Sequence, residues 1–137
     1  MPFFQREQIQ IHWESISEGE PVAFLNGILM TVDSWKFQTY ELSRHFHCLM
    51  HDFRGQLLSS KPAEAWTLQD HAEDFGALLD HLGIDSCHVV GTSYGGEVGM
   101  IFAANCPERV RSLTVIASVS ELGPDTERIA QDWRRAA

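Results

Sequence analysis

The chain has 137 residues, of which 44% are hydrophobic and 21% are charged, and this composition is typical of one globular domain with a buried core. It excludes a disordered or collagen-like chain. The net charge is -9, from 19 acidic against 10 basic residues, and no segment gathers lysine and arginine into a patch for phosphates. We therefore expect no nucleic-acid partner.

Signals for membranes and export are also missing from the sequence. The apolar stretches are far shorter than the roughly 20 residues that span a bilayer, so no membrane segment is predicted. Residues 1–6 show neither a basic start followed by an apolar run nor a small-residue cleavage site. We expect a cytoplasmic protein that does not interact with membranes.

The first elements along the chain are predicted to be strands. Ile9, Ile11 and Trp13 share one parity, which indicates a half-buried strand, and the polar residues 17–21 follow as a turn. Val22–Leu25 is a continuous apolar run. Runs of this kind are typical of strands that are covered on both faces in a parallel sheet.

A helix and another strand are predicted next. The helix begins at Asp33 or Ser34, either of which can cap it, and runs to about Arg44. Cys48–His51 is the following strand, and a turn-rich segment continues from it to Pro62. The packing residues of the predicted helix are Trp35, Leu42 and Tyr40.

The clearest predicted helix begins at Thr67 and ends at Gly83. The Thr67 hydroxyl can cap the free amides, while Asp70 favours the positive end of the helix dipole. Apolar residues recur on one face at helical spacing. They are Leu68, Ala72, Phe75, Leu79 and Leu82.

The remaining elements alternate between strand and helix, which predicts an α/β fold: a mostly parallel sheet with helices on both faces. They are a strand at His88–Gly91, a helix from about Gly95 to Asn105, a strand at Arg111–Ser118, and a helix after Pro124 with Ile129 and Trp133 on one face. Because no repeat or linker interrupts them, the chain is interpreted as one piece of one domain.

The segment Gly91-Thr92-Ser93-Tyr94-Gly95-Gly96 joins the predicted strand at 88–91 to the predicted helix that follows. A nucleophilic serine needs a sharp turn of this kind, and the flanking glycines leave room for it. The helix start also favours negative charge on an attacked carbonyl oxygen. Ser93 is the predicted catalytic nucleophile.

An oxyanion hole needs two backbone amides that point at the same oxygen. The amide of Tyr94, directly after Ser93, is the first predicted donor. The amide of Ile28, just past Asn26-Gly27 in the loop after Val22–Leu25, is the second. Asn26 and Gly27 are predicted to line the substrate pocket, where Gly27 would let the substrate approach closely.

These motifs resemble those of the α/β-hydrolase superfamily, especially its single-domain esterases and enol-lactonases. The matching landmarks occur in the family's order: Asn26-Gly27 after an apolar strand, Asp52-Phe53-Arg54-Gly55, Asp80-His81-Leu82-Gly83-Ile84, and the Ser93 turn. Asn26 replaces the usual histidine, and Leu57 stands where a glycine is usual. On this resemblance, residues 1–122 are the N-terminal part of the hydrolase core, which is incomplete at its C-terminus, and 123–137 begin a lid helix.

The resemblance implies a serine hydrolase that cleaves a carboxylic ester, a lactone or a similar small substrate through an acyl-enzyme on Ser93. Such proteins carry an acid and a histidine after the serine, yet all seven histidines here precede Ser93. Glu121 is one candidate acid. We therefore expect the chain alone to be inactive and to need no cofactor. A haloperoxidase or a carbon-carbon bond hydrolase would use the same residues.

One other interpretation, a binding module, stays open, and another, a metal site, is set aside. The chain could be a truncated, non-catalytic binding or interaction module, because half a sheet leaves an unpaired edge that a second copy or a C-terminal partner fragment could cover. A metal site at His45, His47, Cys48 and His51 is not predicted, since these residues fall on one strand and its approach, and no complementary pair follows at metal-site spacing.

Overall fold

A computed structural model describes residues 2–136, and within its last helix the side chains of Trp133, Arg134 and Ala136 also lie outside the described residues. The predicted role of Trp133 on a helix face therefore falls outside the description. The strands are β1 Phe3–Arg6, β2 Ile9–Ile16, β3 Glu20–Leu25, β4 Phe46–His51, β5 Cys87–Thr92 and β6 Val110–Ile116. The α-helices are α1 Lys36–Leu42, α2 Leu68–His81, α3 Tyr94–Asn105 and α4 Pro124–Ala136.

The six strands form one sheet in the order β1-β2-β4-β3-β5-β6. β3, β4, β5 and β6 run parallel, whereas β1 and β2 form an antiparallel pair and β2 joins β4 antiparallel. The prediction of a mostly parallel sheet is confirmed. The carboxyl ends of β3, β4 and β5 lie at one edge, so the loops that follow them meet there.

Each face of the sheet carries its own apolar cluster, as predicted for helices on both faces. One cluster joins Ala23 and Leu25 of β3 to Phe75 of α2 and Phe102 of α3. The other joins Val22 and Phe24 of β3 to Met50 of β4 and, before α1, to Val32 and Trp35. Because side chains alternate along β3, a strand buried on both faces needs a continuous apolar run.

Helix α2 begins and ends where the sequence predicts. The Thr67 hydroxyl accepts from the Asp70 amide at 3.3 Å, and the Asp70 carboxylate accepts from the Thr67 amide at 2.7 Å. Gly83, with φ of 67°, follows its last turn. Of the predicted apolar stripe, Ala72, Phe75 and Leu79 are fully enclosed, while Leu68 and Leu82 are half-buried.

The helix predicted from Asp33 or Ser34 to Arg44 differs from the observed one in three ways. A 3-10 turn at Val32–Trp35 comes first, and α1 then ends at Leu42. The prediction that Tyr40 packs inside is wrong, because this side chain is 71% exposed. Helix α1 has fewer than two full turns, and Tyr40 lies on its solvent-exposed side.

The region after α3 is more open than the rest. No residue of β6 is fully buried, and Val115 and Ile116 at its end are exposed. The predicted helix after Pro124 forms as α4, with Ile129 exposed, and its identity as the start of a lid stays a prediction. Among residues 2–136, no helix is both long enough and apolar enough to cross a membrane.

Candidate active site

Ser93 lies on a sharp turn between β5 and α3, and this turn at residues 92–94 is called the elbow. Its backbone has φ of 50° and ψ of -123°, in a region that non-glycine residues rarely adopt. Its amide donates to the Ile116 carbonyl at 2.8 Å, and its carbonyl accepts from the Gly96 amide and the Ser118 hydroxyl at 2.9 and 2.7 Å. These bonds hold the strained turn and leave the serine side chain exposed.

Gly95 is what allows this turn to approach the end of β3. A Cβ built on Gly95 would collide with the Leu25 carbonyl oxygen and lie 2.6 Å from the Asn26 carbonyl oxygen. Both atoms belong to backbone, which cannot move aside cheaply. Glycine at position 95 therefore brings the elbow against the loop that carries the predicted oxyanion donor.

Asn26 lies behind this loop and not on the wall of the open cavity. It is fully buried, and its amide nitrogen donates to the His51 carbonyl at 3.0 Å and to the Gln56 amide oxygen at 3.1 Å. Its own amide oxygen accepts from the Trp35 indole at 2.7 Å. The amide that replaces the usual histidine thus holds the loop through three hydrogen bonds, which corrects its predicted place in the pocket lining.

Gln56 is a site residue that sequence reasoning missed. Its side-chain nitrogen donates to the Gly27 carbonyl at 2.9 Å, while its oxygen accepts from the Phe53 amide at 3.1 Å as well as from Asn26. The loops after β3 and β4 are joined through this one side chain. A Cβ built on Gly27 would lie 3.5 Å from the Ser93 Cβ, so Gly27 borders Ser93, and its place in the substrate pocket stays a prediction.

The two predicted oxyanion donors flank the place where Gly27 and Ser93 meet. Ile28 follows Gly27 in a turn closed by the Met30 amide on the Gly27 carbonyl at 3.2 Å, and Tyr94 is the first residue of α3. Among residues 2–136, neither the Ile28 nor the Tyr94 amide donates to another protein group. Both amides are therefore available to an oxygen outside the chain.

A cavity of about 480 Å³ opens beside the elbow and is bordered by both Ile28 and Tyr94. Its walls come from the loops after β3 and β4 and from the start of α2. Leu57, at its rim, has φ of 20°, so the position where the family usually has glycine keeps a positive φ with a leucine. The apolar and aromatic part of the wall is Ile28, Leu29, Met30, Phe53, Leu57, Trp66 and Tyr94.

Buried side-chain contacts fix the loop after β4. The Asp52 carboxylate accepts from His12 Nδ1 at 2.8 Å and from the Val32 amide at 3.1 Å. Arg54 donates twice to Asp74, at 2.7 and 2.8 Å, and this carboxylate raises the pKa of Arg54. These side chains scaffold the loop, and their polar groups are hydrogen-bonded to one another or to backbone.

Two buried histidines lie near the cavity in apolar surroundings. Burial lowers the pKa of His51 to about 3, and it lowers the pKa of His71 to about 4. His51 stacks on Phe75 with 5.6 Å between ring centroids and belongs to the core. His71 borders the cavity.

The predicted acid Glu121 is not brought to this cavity. It is exposed and borders a separate groove formed by α2, α3 and the segment after β6, together with Glu97. Burial raises the pKa of Glu97. Within residues 2–136, the Ser93 hydroxyl has no hydrogen-bond partner, so the described part of the chain does not show an acid or a base acting on it.

A model of the alpha/beta hydrolase fold matches residues 20–136. The chain belongs to the α/β-hydrolase family. Among solved structures, this α/β hydrolase is similar to the enzyme MGS-M2 from a Medee basin deep-sea metagenome library, with 29% identity and a TM-score of 0.94, covering 98% of this chain and 50% of that one.

Two further relatives of the chain differ in the substrates that their names state. Est816, described as an N-acyl homoserine lactone degrading enzyme, has 30% identity and a TM-score of 0.86, with 96% of this chain and 52% of that chain covered. A cis-3-alkyl-4-alkyloxetan-2-one decarboxylase of Shewanella oneidensis is 31% identical over 133 residues, which are 91% of this chain and 41% of the relative. The chain thus spans about half the length, or less, of these relatives.

Proposed function

We propose that the protein formed by this α/β-hydrolase chain cleaves a carboxylic ester or lactone through an acyl-enzyme on Ser93. The observation that carries the proposal is the exposed Ser93 side chain on a strained turn, with φ of 50°, between the end of β5 and the start of α3. Strain of this kind persists only where the surrounding structure imposes it, and it is common at catalytic sites.

The free amides and the cavity support the same reaction. Ser93 Oγ would attack the carbonyl carbon, and the new oxyanion would accept from the amides of Ile28 and Tyr94. The serine proton would pass through a base to the leaving alcohol as the carbon–oxygen bond of the ester breaks. Water would then attack the acyl-enzyme, form the carboxylic acid and return the proton to Ser93. No step needs a cofactor.

The base for this reaction is proposed to come from outside the described residues. Within residues 2–136 no histidine hydrogen-bonds to the Ser93 hydroxyl, and a serine hydroxyl is a poor nucleophile at neutral pH without a base. A further segment or a second polypeptide would supply it. We therefore expect the 137-residue chain alone to turn over esters poorly or not at all.

The class of substrate is proposed from the cavity. A space of about 480 Å³ with mainly apolar and aromatic walls suits a small molecule whose acyl or alcohol group is largely hydrocarbon. The names of two relatives support lactones within this class, because one degrades N-acyl homoserine lactones and the other acts on oxetan-2-ones.

A second candidate function is a docking surface on the β6 side. Val115, Ile116, Val119 and Leu122 are all exposed near the open edge of the sheet. Such a surface suits a C-terminal polypeptide of the same fold or a second copy of the chain. Native mass spectrometry distinguishes the two, since the first gives a heteromer and the second an even multiple of the chain mass.

The first experiment treats the native protein with a fluorophosphonate, which phosphonylates activated serines, and measures the intact mass of this chain. We expect one adduct on Ser93 that is absent from Ser93→Ala and retained in Ser112→Ala, a matched exposed serine on β6. An adduct at another residue, or none in a preparation that contains every co-purifying polypeptide, contradicts the proposal.

A further inference from the structure

His71 lies in the first turn of α2 and borders the cavity. Its side chain is 1% exposed and is surrounded by aromatic rings. The ring centroid of Phe53 lies 4.7 Å away, that of Tyr94 5.3 Å and that of Trp66 6.5 Å. These same rings border the cavity beside Ser93, so His71 contributes a polar group to the aromatic part of its wall.

The His71 imidazole has no hydrogen-bond partner within residues 2–136. Of its two nitrogens, only Nδ1 is fully enclosed, which leaves Nε2 as the atom that a molecule in the cavity can reach. Leaving a buried polar group unpaired costs about 1–3 kcal/mol, so such groups are rare without a reason. This cost falls on the enclosed Nδ1, whereas Nε2 can still take a ligand atom in the cavity as its partner.

Two other polar side chains of the wall are already engaged. Arg54 is held by both carboxylate oxygens of Asp74, and Gln56 bonds Asn26, Gly27 and the Phe53 amide. His71 therefore differs from both in offering a nitrogen that the protein does not use.

His71 can interact with a ligand through a hydrogen bond but not through charge. Since burial lowers its pKa to about 4, the ring is neutral at pH 7. A neutral imidazole carries one donor and one acceptor nitrogen, and it can therefore pair with an uncharged oxygen. A carboxylate would instead call for a cation.

We propose that His71 determines specificity by bonding, through Nε2, an uncharged oxygen on the substrate group that occupies the cavity. The inference rests on the proposed function in placing the substrate of Ser93 there. It narrows the substrate class from hydrocarbon esters and lactones to those with a carbonyl, ether or hydroxyl oxygen away from the reacting carbonyl. His71 recognises the substrate and takes no part in the bond-breaking steps.

The test compares two unreactive probes of the same shape, cyclohexanone and methylenecyclohexane, which differ only in oxygen against CH₂. Titrations of the native protein are followed by the ¹⁵N shifts of the His71 ring. We expect cyclohexanone to bind about 5- to 10-fold more tightly than its analogue and to shift Nε2, as one hydrogen bond to a neutral group would do.

Three variants decide the result. His71→Phe keeps an aromatic ring and should lose the preference for cyclohexanone, whereas His71→Gln keeps a donor and an acceptor and should retain part of it. His45→Phe alters an exposed histidine and should retain all of it. An unchanged preference in His71→Phe, an unmoved Nε2 signal in the wild type, or no binding of either probe at millimolar concentration overturns the proposal.

Failure of this inference is distinguishable from failure of the proposed function. Neither probe has an ester or lactone bond, so Ser93→Ala should show the wild-type preference. A preference for cyclohexanone without fluorophosphonate labelling of Ser93 would keep the role of His71 and reject the acyl-enzyme. Labelling of Ser93 without the preference would do the reverse.

Discussion

Strands β5 and β6 are parallel neighbours in one sheet and are both rich in apolar residues, yet β5 is buried much more deeply than β6. Cys87 and Val89 of β5 are completely buried under the helices α2 and α3. In β6 no residue is fully buried, and Val115 is 39% exposed. An apolar run therefore indicates a strand, but the layers packed on it decide its burial.

The candidate site lies where these two regions meet. Its enclosed side consists of the loops after β3 and β4, which Asn26 and Gln56 hold together. Its open side consists of β6 and the segment after it, which hydrogen-bond to Ser93 through the Ile116 carbonyl and the Ser118 hydroxyl. Substitutions matched across this boundary should therefore differ sharply in effect.

The largest expected difference is between two glycines. Gly95→Ala should lower the free energy of unfolding by more than about 4 kcal/mol, because its Cβ would collide with backbone of the loop after β3. Gly123→Ala, with no atom within 4 Å of its Cβ, should change it by less than about 0.5 kcal/mol. Urea unfolding followed by circular dichroism measures both. Equal effects would mean that the elbow does not press against that loop.

The next difference is between two valines of adjacent strands. Val89→Ala should cost about 2–3 kcal/mol, because it opens a cavity in a completely buried cluster. Val115→Ala should cost less than about 1 kcal/mol, since this side chain is partly in water already. Both are measured in urea on the chain alone. If Val115→Ala lost much stability in the native preparation but not in the chain alone, another surface would cover β6 in that preparation.

The third expected difference is a dependence of stability on pH that comes from the enclosed side. Burial lowers the pKa of His51 to about 3 from 6.5, so below pH 6.5 the unfolded chain binds a proton that the folded chain does not bind. The contribution of His51 to the free energy of unfolding is complete above pH 6.5 and is lost as the pH falls toward 3. At pH 5 the loss is about 2 kcal/mol.

This dependence is checked by urea unfolding at pH 7 and pH 5 with His51→Phe, which keeps an aromatic ring beside Phe75. The variant should lose about 2 kcal/mol less than the wild type between the two pH values. Replacing the exposed His45 by Phe serves as the control and should leave the difference unchanged. A variant with the wild-type pH dependence would refute the assignment to His51.

Local signals predicted the fold well. The cap at Thr67 and the apolar run Val22–Leu25 are each read from a few neighbouring residues, and both elements form as expected. Gln56 and His71 could not be found in this way. The role of Gln56 depends on two loops meeting across 29 residues of sequence, and that of His71 depends on rings from three other segments. Contacts of this kind are set by tertiary packing and leave no local pattern.

The order of the strands also bears on how the chain is assembled during synthesis. Every strand between β5 and the β1 edge precedes β5 in the chain, and so does α2. Since domains begin to fold while the ribosome extends them, the enclosed wall can form before Ser93 emerges. The bond from the Ser93 amide to the Ile116 carbonyl must wait for β6. The contact between Ser93 and β6 is therefore the last part of the elbow to form during translation.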